Sequence, residues 1–203
     1  MSKNTNKTKN EIRIEVDKSV LKKVIKSHKN FASLDSGSIL SCLHFELADN
    51  KLEIATTDGN RMLISTIEIN NPEHRICNFN IQSGLLSKLA FFKGGVTNIF
   101  EVIISKDSVC FNDVEHGFRQ EFKLFAGTYP KYKQLVLEYD EKEQFSIGLN
   151  SRFFKDLSSL NPNERTNVIV FKFNKENNLK PVLVNTGSPE LKQTALSMPV
   201  QVR

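Results

Sequence analysis

The chain has 203 residues, of which 39% are hydrophobic and 25% are charged, and its formal net charge is +5. This length suits one large domain or two small ones, and the apolar fraction is sufficient for a packed core. No apolar run approaches the roughly 18 residues that a membrane span needs, and residues 1–10 are polar and basic, without the apolar segment of a signal peptide. We therefore expect a cytoplasmic protein with a disordered basic tail at 1–10 and no membrane partner.

The predicted elements repeat one order, a strand, a helix and three further strands, over about 60 residues. In the first copy, at about 11–70, residues 11–16 alternate between apolar and polar as a strand does. Asp17 is placed to cap a helix that runs to about Phe31. The three strands that follow are expected at 39–47, 51–57 and 62–69.

Two further copies follow the same order. The second copy, at about 77–136, is predicted to have strands at 78–82, 98–105, 108–112 and 120–125 and a helix from Ser83 to Phe92. The third copy, at about 144–203, is predicted to have strands at 144–149, 167–173, 181–185 and 193–202 and a helix that ends at Leu160. The pattern predicts an α+β chain of β-α-β-β-β half-domains, with the helices on one face of antiparallel sheets. Its expected parts are a tail at 1–10, a domain of two half-repeats at 11–136, an acidic linker at 137–143 and a single half-repeat at 144–203.

Each predicted helix has an apolar stripe and a second face that carries positive charge. If the helices share one side of the protein, that side is a basic strip, which suits a phosphate backbone without any reading of bases. The alternative is an ordinary solvated face, because lysine is a good helix former. The residues expected to face DNA are Lys22, Lys23, Lys26, Lys29, Lys88, Lys93, Arg152 and Lys155.

Cysteine and histidine placement argues against a disulfide framework, a metal centre and the common enzyme classes. The three cysteines form no C-x-x-C pair and are expected to be buried thiols. The four histidines lack metal-ligand spacing, and no P-loop, G-x-S-x-G or G-x-G-x-x-G motif occurs. Asp58 and Arg61 are interpreted as turn and groove residues. We assign no catalytic residue, no cofactor and no metal.

Four short segments carry a more specific signal through their order and spacing. Residues 54–64 read I-A-T-T-D-G-N-R-M-L-I, residues 127–132 read G-T-Y-P-K-Y, residues 150–157 read N-S-R-F-F-K-D-L, and residues 197–203 read S-M-P-V-Q-V-R. They resemble the segments A-T-D-G-H-R-L, G-x-F-P-D-Y, N-x-x-Y-L-x-D-x-L and M-P-M-R-L of the bacterial DNA polymerase III beta subunit, the β sliding clamp family. The resemblance covers about residues 11–203.

The resemblance implies the DNA clamp fold and a non-catalytic replication processivity factor that encircles or lies on duplex DNA. Clamp-family rings have six similar domains, each built from two half-repeats, with helices lining the hole. The alternative is a clamp-like adaptor or decoy that binds clamp-interacting peptides without encircling DNA. A single-strand binder is disfavoured, because the 15 Phe and 3 Tyr fall mostly at inward positions.

The resemblance also implies a pocket for short linear motifs of DNA polymerase and clamp-loader subunits. Several departures from the family pattern affect the expected motif preference: Asn60 replaces the usual His, Lys131 replaces Asp, Val200 replaces Met, and Gln201 displaces the penultimate Arg. An apolar, adaptable groove of this composition suits a peptide. The residues that match the pocket are Thr57, Gly59, Asn60, Arg61, Met62, Pro130, Lys133, Gln134, Leu135, Met198, Pro199 and Val200.

The chain is shorter than the family pattern, with no counterpart of the first domain or of half of the last. A half-domain exposes strand edges and an apolar helix face. We therefore expect a homo-oligomer or an assembly with a full-length clamp. Four chains with three half-repeats each would complete a tetrameric ring.

Overall fold

A computed structural model describes residues 11–86, 88–89, 98–135, 147–152, 154, 169–174, 176–177, 179–187 and 192–200. The chain divides into two compact units, residues 1–135 and residues 136–203. The predicted tail at 1–10 and the predicted linker at 137–143 lie outside the described residues. In the described part of the chain, no helix is both long enough and apolar enough to cross a membrane.

The first repeat begins with a strand that leads directly into a capped helix. The Oδ1 atom of Asp17 accepts a hydrogen bond from the Val20 backbone N–H at 2.8 Å, which satisfies one of the free donors of the first helical turn. A short 3-10 turn, Lys29–Phe31, extends the helix. The elements of this repeat are β1 (Ile12–Asp17), α1 (Lys18–His28), β2 (Cys42–Ala48), β3 (Lys51–Thr57) and β4 (Met62–Glu68).

The second repeat has the same order, with differences in detail from the sequence-based expectation. Its last strand begins at Phe118 rather than at 120, because Gly117 adopts a positive φ of 66° and reverses the chain early. The predicted helix is described only through Leu86 and at 88–89, and its expected continuation to Phe92 lies outside the described residues. The elements are β5 (Cys77–Gln82), α2 (Ser83–Leu86), β6 (Ile99–Ile104), β7 (Ser108–Asp113) and β8 (Phe118–Lys123).

The two repeats of the first unit exchange their first strands. One sheet has the order β1-β6-β7-β8 and the other has the order β4-β3-β2-β5. Strand β1 of the first repeat therefore pairs with β6 of the second, antiparallel, with Val16 opposite Phe100. Reciprocally, β5 pairs with β2, with Ile81 opposite Leu43. Neither sheet is complete without a strand from the other repeat.

Backbone hydrogen bonds also close the corners between the two sheets. Glu15 in β1 and Asn70, just after β4, exchange two bonds of 2.9 and 3.0 Å. At the other corner the Phe125 N–H, just after β8, donates to the Asn80 carbonyl in β5 at 2.9 Å. The unpaired edges that a strand would otherwise present are thus partly satisfied inside the unit.

Both helices of the first unit bury their apolar sides in one core between the sheets. Leu21 and Ile25 of α1 and Leu86 of α2 lie in this core with strand residues such as Phe45 and Phe100. Cys42 and Cys110 are buried, as predicted, but Cys77 is only half-buried because it is the first residue of β5.

The second unit contains a three-stranded sheet and a two-stranded sheet. The prediction of one strand at 193–202 is wrong. Ser197 pairs with Val182, the first residue of β11, so the ladder has no further partner and the chain passes through Met198 to a different sheet. Residues 151, 152 and 154 are helical. The strands are β9 (Gly148–Leu149), β10 (Val170–Lys172), β11 (Val182–Gly187), β12 (Lys192–Ser197) and β13 (Pro199–Val200), in the orders β10-β11-β12 and β13-β9.

Candidate functional site

The turn between β3 and β4 is held by its own side chains. Thr57 Oγ1 donates to the Arg61 carbonyl at 2.8 Å and accepts from the Gly59 N–H at 3.0 Å. Asp58 Oδ1 accepts from the backbone N–H groups of Asn60 and Arg61 at 3.0 and 3.1 Å. These two backbone bonds and the Arg61 guanidinium lower the pKa of Asp58. Gly59 has a φ of 92°, which an L-residue with a side chain rarely adopts.

Arg61 connects this turn to the end of α1. Its Nε donates to Asp58 Oδ2 at 2.9 Å, and its Nη2 donates to the Asn30 carbonyl at 2.8 Å. The guanidinium carbon lies 5.2 Å from the centre of the Phe31 ring, a cation–π contact. The side chain is thereby held in one orientation although most of it is exposed.

Tyr129 brings the Tyr-Pro segment to the same turn. The Thr57 backbone N–H donates to the Tyr129 hydroxyl at 3.0 Å, and the Tyr129 ring stacks on His44 with 4.7 Å between the ring centres. Burial raises the pKa of Tyr129 to about 12, so the hydroxyl keeps its proton at neutral pH. Pro130, the next residue, is exposed beside this anchor.

A small apolar cluster lies beneath these residues, separate from the main core. Ala55, Tyr129 and Tyr132 are buried in it. Ala55 follows Ile54 in β3, so the two side chains point to opposite faces of the sheet. Ile54 belongs to the main core, and the cluster therefore covers the other face. We call this group the outer cluster, and its half-buried members are Ile39, Met62 and Ile64.

Two glutamates meet next to the outer cluster. Glu46 and Glu53 are direct partners in the β2–β3 register, an arrangement that is unfavourable for like charges. The Tyr132 hydroxyl lies 2.9 Å from Glu46 Oε1 and 2.6 Å from Glu53 Oε1, and the Lys133 ammonium group contacts both carboxylates. Burial opposes ionisation of Glu46, but hydrogen bonds from Lys133 and Tyr132 outweigh it and lower the pKa of Glu46. The hydrogen bond to Glu46 in turn raises the pKa of Lys133.

The structure brings together most of the predicted pocket residues of the first unit. Thr57, Gly59, Asn60, Arg61 and Met62 belong to one hairpin, and the Thr57–Tyr129 bond places this hairpin beside Pro130. Lys133 is paired with Glu46 and Glu53, and Gln134 is exposed. The Leu135 side chain lies outside the described residues. Met198, Pro199 and Val200 belong to the second unit, and their part in the pocket stays a prediction.

Sequence reasoning missed the residues that organise this site. Tyr129 and Tyr132 lie within the quoted G-T-Y-P-K-Y segment, so their presence there was a usable signal. Glu46 and Glu53 gave a weaker signal, because two carboxylates at facing positions of a hairpin need a hydrogen-bond donor between them. Ile39 and Ile64 read as ordinary strand residues.

The residues predicted to face DNA divide into three groups. Lys23, Lys26, Lys29 and Lys88 are exposed in the first unit, and Arg152 is exposed in the second. Lys22 is half-buried, and burial and the neighbouring Lys18 lower its pKa. Lys93 and Lys155 lie outside the described residues. Helix α1 contains no acidic residue and is in contact with α2, and the exposed Lys88 lies two residues after the end of α2.

No protein-family model and no curated protein matches the chain. Among solved structures, a DNA polymerase sliding clamp from Bacillus subtilis matches with a TM-score of 0.76 and 20% identity, over 93% of this chain and 49% of that one. The chain has the sliding-clamp fold.

Two further clamps support this assignment of the fold. A DNA polymerase III subunit beta sliding clamp from Pseudomonas aeruginosa, bound to griselimycin, matches with a TM-score of 0.75 and 14% identity, over 94% of this chain and 51% of that one. The DNA polymerase III beta subunit from Thermotoga maritima matches with a TM-score of 0.70 and 16% identity, over 93% and 51%. The chain thus spans about half the length of these clamps, and the predicted α+β clamp fold is confirmed.

Proposed function

We propose that the chain is a non-catalytic, clamp-like processivity factor for DNA replication. It lies on or encircles duplex DNA with its helix-bearing side and binds linear motifs of DNA polymerase and other replication proteins at the β3–β4 turn. The observation that carries the proposal is the Thr57–Tyr129 hydrogen bond, which holds the Tyr-Pro segment at the β3–β4 turn, where Met62 packs on the outer cluster, in a clamp fold. The solved structures with this fold are named as DNA polymerase sliding clamps.

The electrostatics of α1 support contact with a phosphate backbone. Four lysines between residues 22 and 29 are accompanied by no acidic side chain in the helix. Exposed lysines on flexible stems attract phosphates without a fixed geometry. Contact of this kind is independent of base sequence and compatible with movement along the duplex.

The β3–β4 site supports recognition of an extended peptide with an apolar side chain. Met62 and Ile64 offer half-buried apolar surface, and methionine adapts its shape to different partners. Arg61 is held beside this surface by Asp58 and Asn30 and adds a fixed donor group. The proposal includes Met198, Pro199 and Val200 as further pocket residues, and removal of residues 198–203 is expected to abolish peptide binding.

Reversing the charge of exposed helix lysines tests the DNA part of the proposal. Lys23→Glu, Lys26→Glu and Lys88→Glu in one chain are expected to weaken duplex binding at least tenfold and to flatten its salt dependence, by about 0.9 in log–log slope per lost phosphate contact. Lys22 is left intact because it is half-buried. The matched control reverses the exposed strand and turn lysines Lys51, Lys106 and Lys123 and should bind as the wild type does.

Retention on nicked circular DNA, with release on linearisation, distinguishes a clamp from an adaptor. The wild-type chain, loaded onto a nicked plasmid, should elute together with the plasmid and should dissociate from it after a restriction enzyme linearises the DNA. The variant with the three helix-side lysine-to-glutamate changes should not be retained on the plasmid. Equal retention by the triple variant and the wild type would contradict the DNA-facing role. Peptide binding without any retention of DNA would support the adaptor alternative instead.

A substitution in the outer cluster tests the peptide part. Met62→Glu is expected to weaken binding of a fluorescent peptide carrying the clamp-binding segment of a bacterial replicative polymerase by at least tenfold, about 1.4 kcal/mol, because a buried carboxylate would replace an apolar contact. Fluorescence polarisation measures the affinity. Ile76→Glu is the control, because Ile76 is an exposed apolar residue next to Cys77, which pairs with Leu47 at the end of the sheet opposite the β3–β4 turn. Unchanged affinity for Met62→Glu would exclude this surface as the peptide site.

A further inference from the structure

The hairpin registers identify equivalent inward positions in the three repeats. Phe45 pairs with Ile54 in the first repeat, Val102 pairs with Phe111 in the second, and Phe171 pairs with Val184 in the third. All six side chains lie on the inner face of their sheet. The residues two positions after Phe45, Val102 and Phe171 are equivalent to one another as well; they are Leu47, Ile104 and Phe173. The third repeat therefore has the same inner face as the other two.

This inner face is covered in the first unit and open in the second. Phe45 and Leu47 are each 1% exposed, whereas their equivalents Phe171 and Phe173 are 37% and 46% exposed. The helices show the same contrast. Leu21, four residues after the last residue of β1, is 0% exposed, whereas Phe154, at the equivalent position after Asn150, is 48% exposed.

In the first unit the other repeat covers these positions with its first strand. Strand β5 lies along β2, and Phe79 stacks on Phe45 with 4.9 Å between the ring centres. Strand β1 lies along β6 in the same way, with Ile14 opposite Val102. One strand of the four in each sheet thus comes from outside its own repeat.

Among its described residues, the second unit neither donates its first strand to the sheet of another repeat nor receives a strand from one. Strand β9 pairs with β13. This pairing is the equivalent of the β-bridge between Glu15 and Asn70 in the first repeat. In the described part of the chain, no strand pairs along the other side of β9, where β1 has β6, and none pairs along the outer side of β10, where β2 has β5. A donor strand and an acceptor edge are both present in one unit.

We infer that the second unit is self-complementary and that its partner is a second copy of this chain. Strand β9 of each copy pairs antiparallel with β10 of the other, about a two-fold axis. The exchange in the first unit sets the register, because Ile81 pairs with Leu43 and Val16 pairs with Phe100 at the equivalent positions. It places Leu149 opposite Ile169 of the other copy, and Ile147 opposite Phe171.

This pairing covers the apolar groove of the second unit. The groove has a volume of about 550 Å³ and is lined by Ile147, Leu149, Phe154, Phe171, Phe173 and Val182. A second copy presents the same alternation of apolar side chains to it that β1 and β5 present in the first unit. The inference is independent of DNA and peptide binding, since it rests only on the repeats of this chain.

Sedimentation velocity of the full chain at micromolar concentration tests the association. The wild type should sediment at twice the chain mass of 23.1 kDa or at a higher even multiple. Phe171→Lys should sediment as a dissociated species, because the lysine would be buried at the paired edge. Leu196→Lys is the matched control, since Leu196 is exposed on the opposite face of the same sheet. A wild-type mass of one chain would overturn the inference, as would an oligomer that Phe171→Lys leaves intact.

Cysteine cross-linking tests the register and does not depend on the folding of the Phe171→Lys variant. The register places Gly148 of one copy opposite Val170 of the other, at a separation that suits a disulfide. An oxidised mixture of Gly148→Cys chains and Val170→Cys chains should give a disulfide-linked dimer on a non-reducing gel. Each variant alone, and the wild type with Cys42, Cys77 and Cys110, should give none. Absence of a dimer in the mixture, or an equal amount with either variant alone, would overturn the inference.

Discussion

Replacing Lys18 by methionine is expected to lower the free energy of unfolding by about 3–5 kcal/mol. The Lys18 ammonium group lies 2.7 Å from Asp113 Oδ2, and both side chains are fully buried. The pair joins the start of α1 in the first repeat to the end of β7 in the second. Removal of the ammonium group leaves a carboxylate in the core, with the half-buried His116, 3.1 Å away, and the nearby Lys22 as weaker compensation.

The pKa of Asp113 gives this variant a second signature. In the native protein, burial opposes ionisation, but Lys18 and His116 outweigh it and lower the pKa of Asp113. Without Lys18 the burial effect dominates, the pKa rises, and the stability of the variant should fall further as the pH increases through that value. Urea denaturation followed by circular dichroism, repeated at several pH values, measures both effects.

Two controls separate the ion pair from the helix itself. Lys23→Met changes an exposed lysine of the same helix and should alter the free energy of unfolding by no more than about 0.5 kcal/mol. Adding Asp113→Leu to Lys18→Met removes the uncompensated charge and should restore part of the loss. A loss below about 1 kcal/mol for Lys18→Met alone would show that the buried pair does not stabilise the fold in this way.

Acidification from pH 6.5 to pH 4 is expected to remove about 3 kcal/mol of stability through His28 alone. Burial lowers the pKa of His28 to about 4 from its ordinary value of 6.5. The unfolded chain therefore binds a proton at a higher pH than the native one does. The contribution of His28 is fully present above pH 6.5 and is lost as the pH falls towards 4.

The environment of His28 shows why the neutral ring is preferred. The side chain is fully buried at the end of α1, where Nδ1 lies 2.7 Å from Thr56 Oγ1 and Nε2 lies 2.9 Å from Ser65 Oγ. Both partners are neutral hydroxyls, which can satisfy the neutral ring but offer no counter-charge to an imidazolium ion.

Comparison of variants isolates this titration from the carboxylates. His28→Gln should be less stable than the wild type at pH 7 but should lose less stability between pH 6.5 and pH 4. The control, His74→Asn, changes an exposed histidine with a positive φ that asparagine tolerates, and should keep the wild-type pH profile. Parallel pH profiles for His28→Gln and the wild type would contradict a buried neutral His28.

The local elements of the first unit were predictable because short-range rules decide them. Period-two alternation identified β1 through β4 to within a few residues, Asp17 was recognised as a helix cap, and Asp58-Gly59 was recognised as a turn. The repeated order of strand, helix and three strands was also readable, because the same local pattern recurs along the chain. That order, together with the resemblance of the four motif segments to the β sliding clamp family, predicted the clamp fold.

Partner choice between strands depended on the tertiary structure. Both β1 and β5 alternate in the same way, and nothing local indicates that each belongs to the sheet of the other repeat. Lys18 and Lys23 are likewise the same residue type on the same helix, yet one is buried on Asp113 and the other is exposed. Burial depends on which distant residues surround a side chain, and the sequence pattern near that side chain does not contain this information.

The candidate site shows the same division. The sequence by itself determined the hairpin at Thr57–Met62 and the Tyr-Pro segment at 129–130, since each is a local motif. Only the tertiary structure joined them, through a hydrogen bond between residues 72 positions apart, and placed the Tyr132 hydroxyl between Glu46 and Glu53. Local backbone preferences act within a few residues, whereas the geometry of a site is decided by packing between segments that the chain brings together only when it folds.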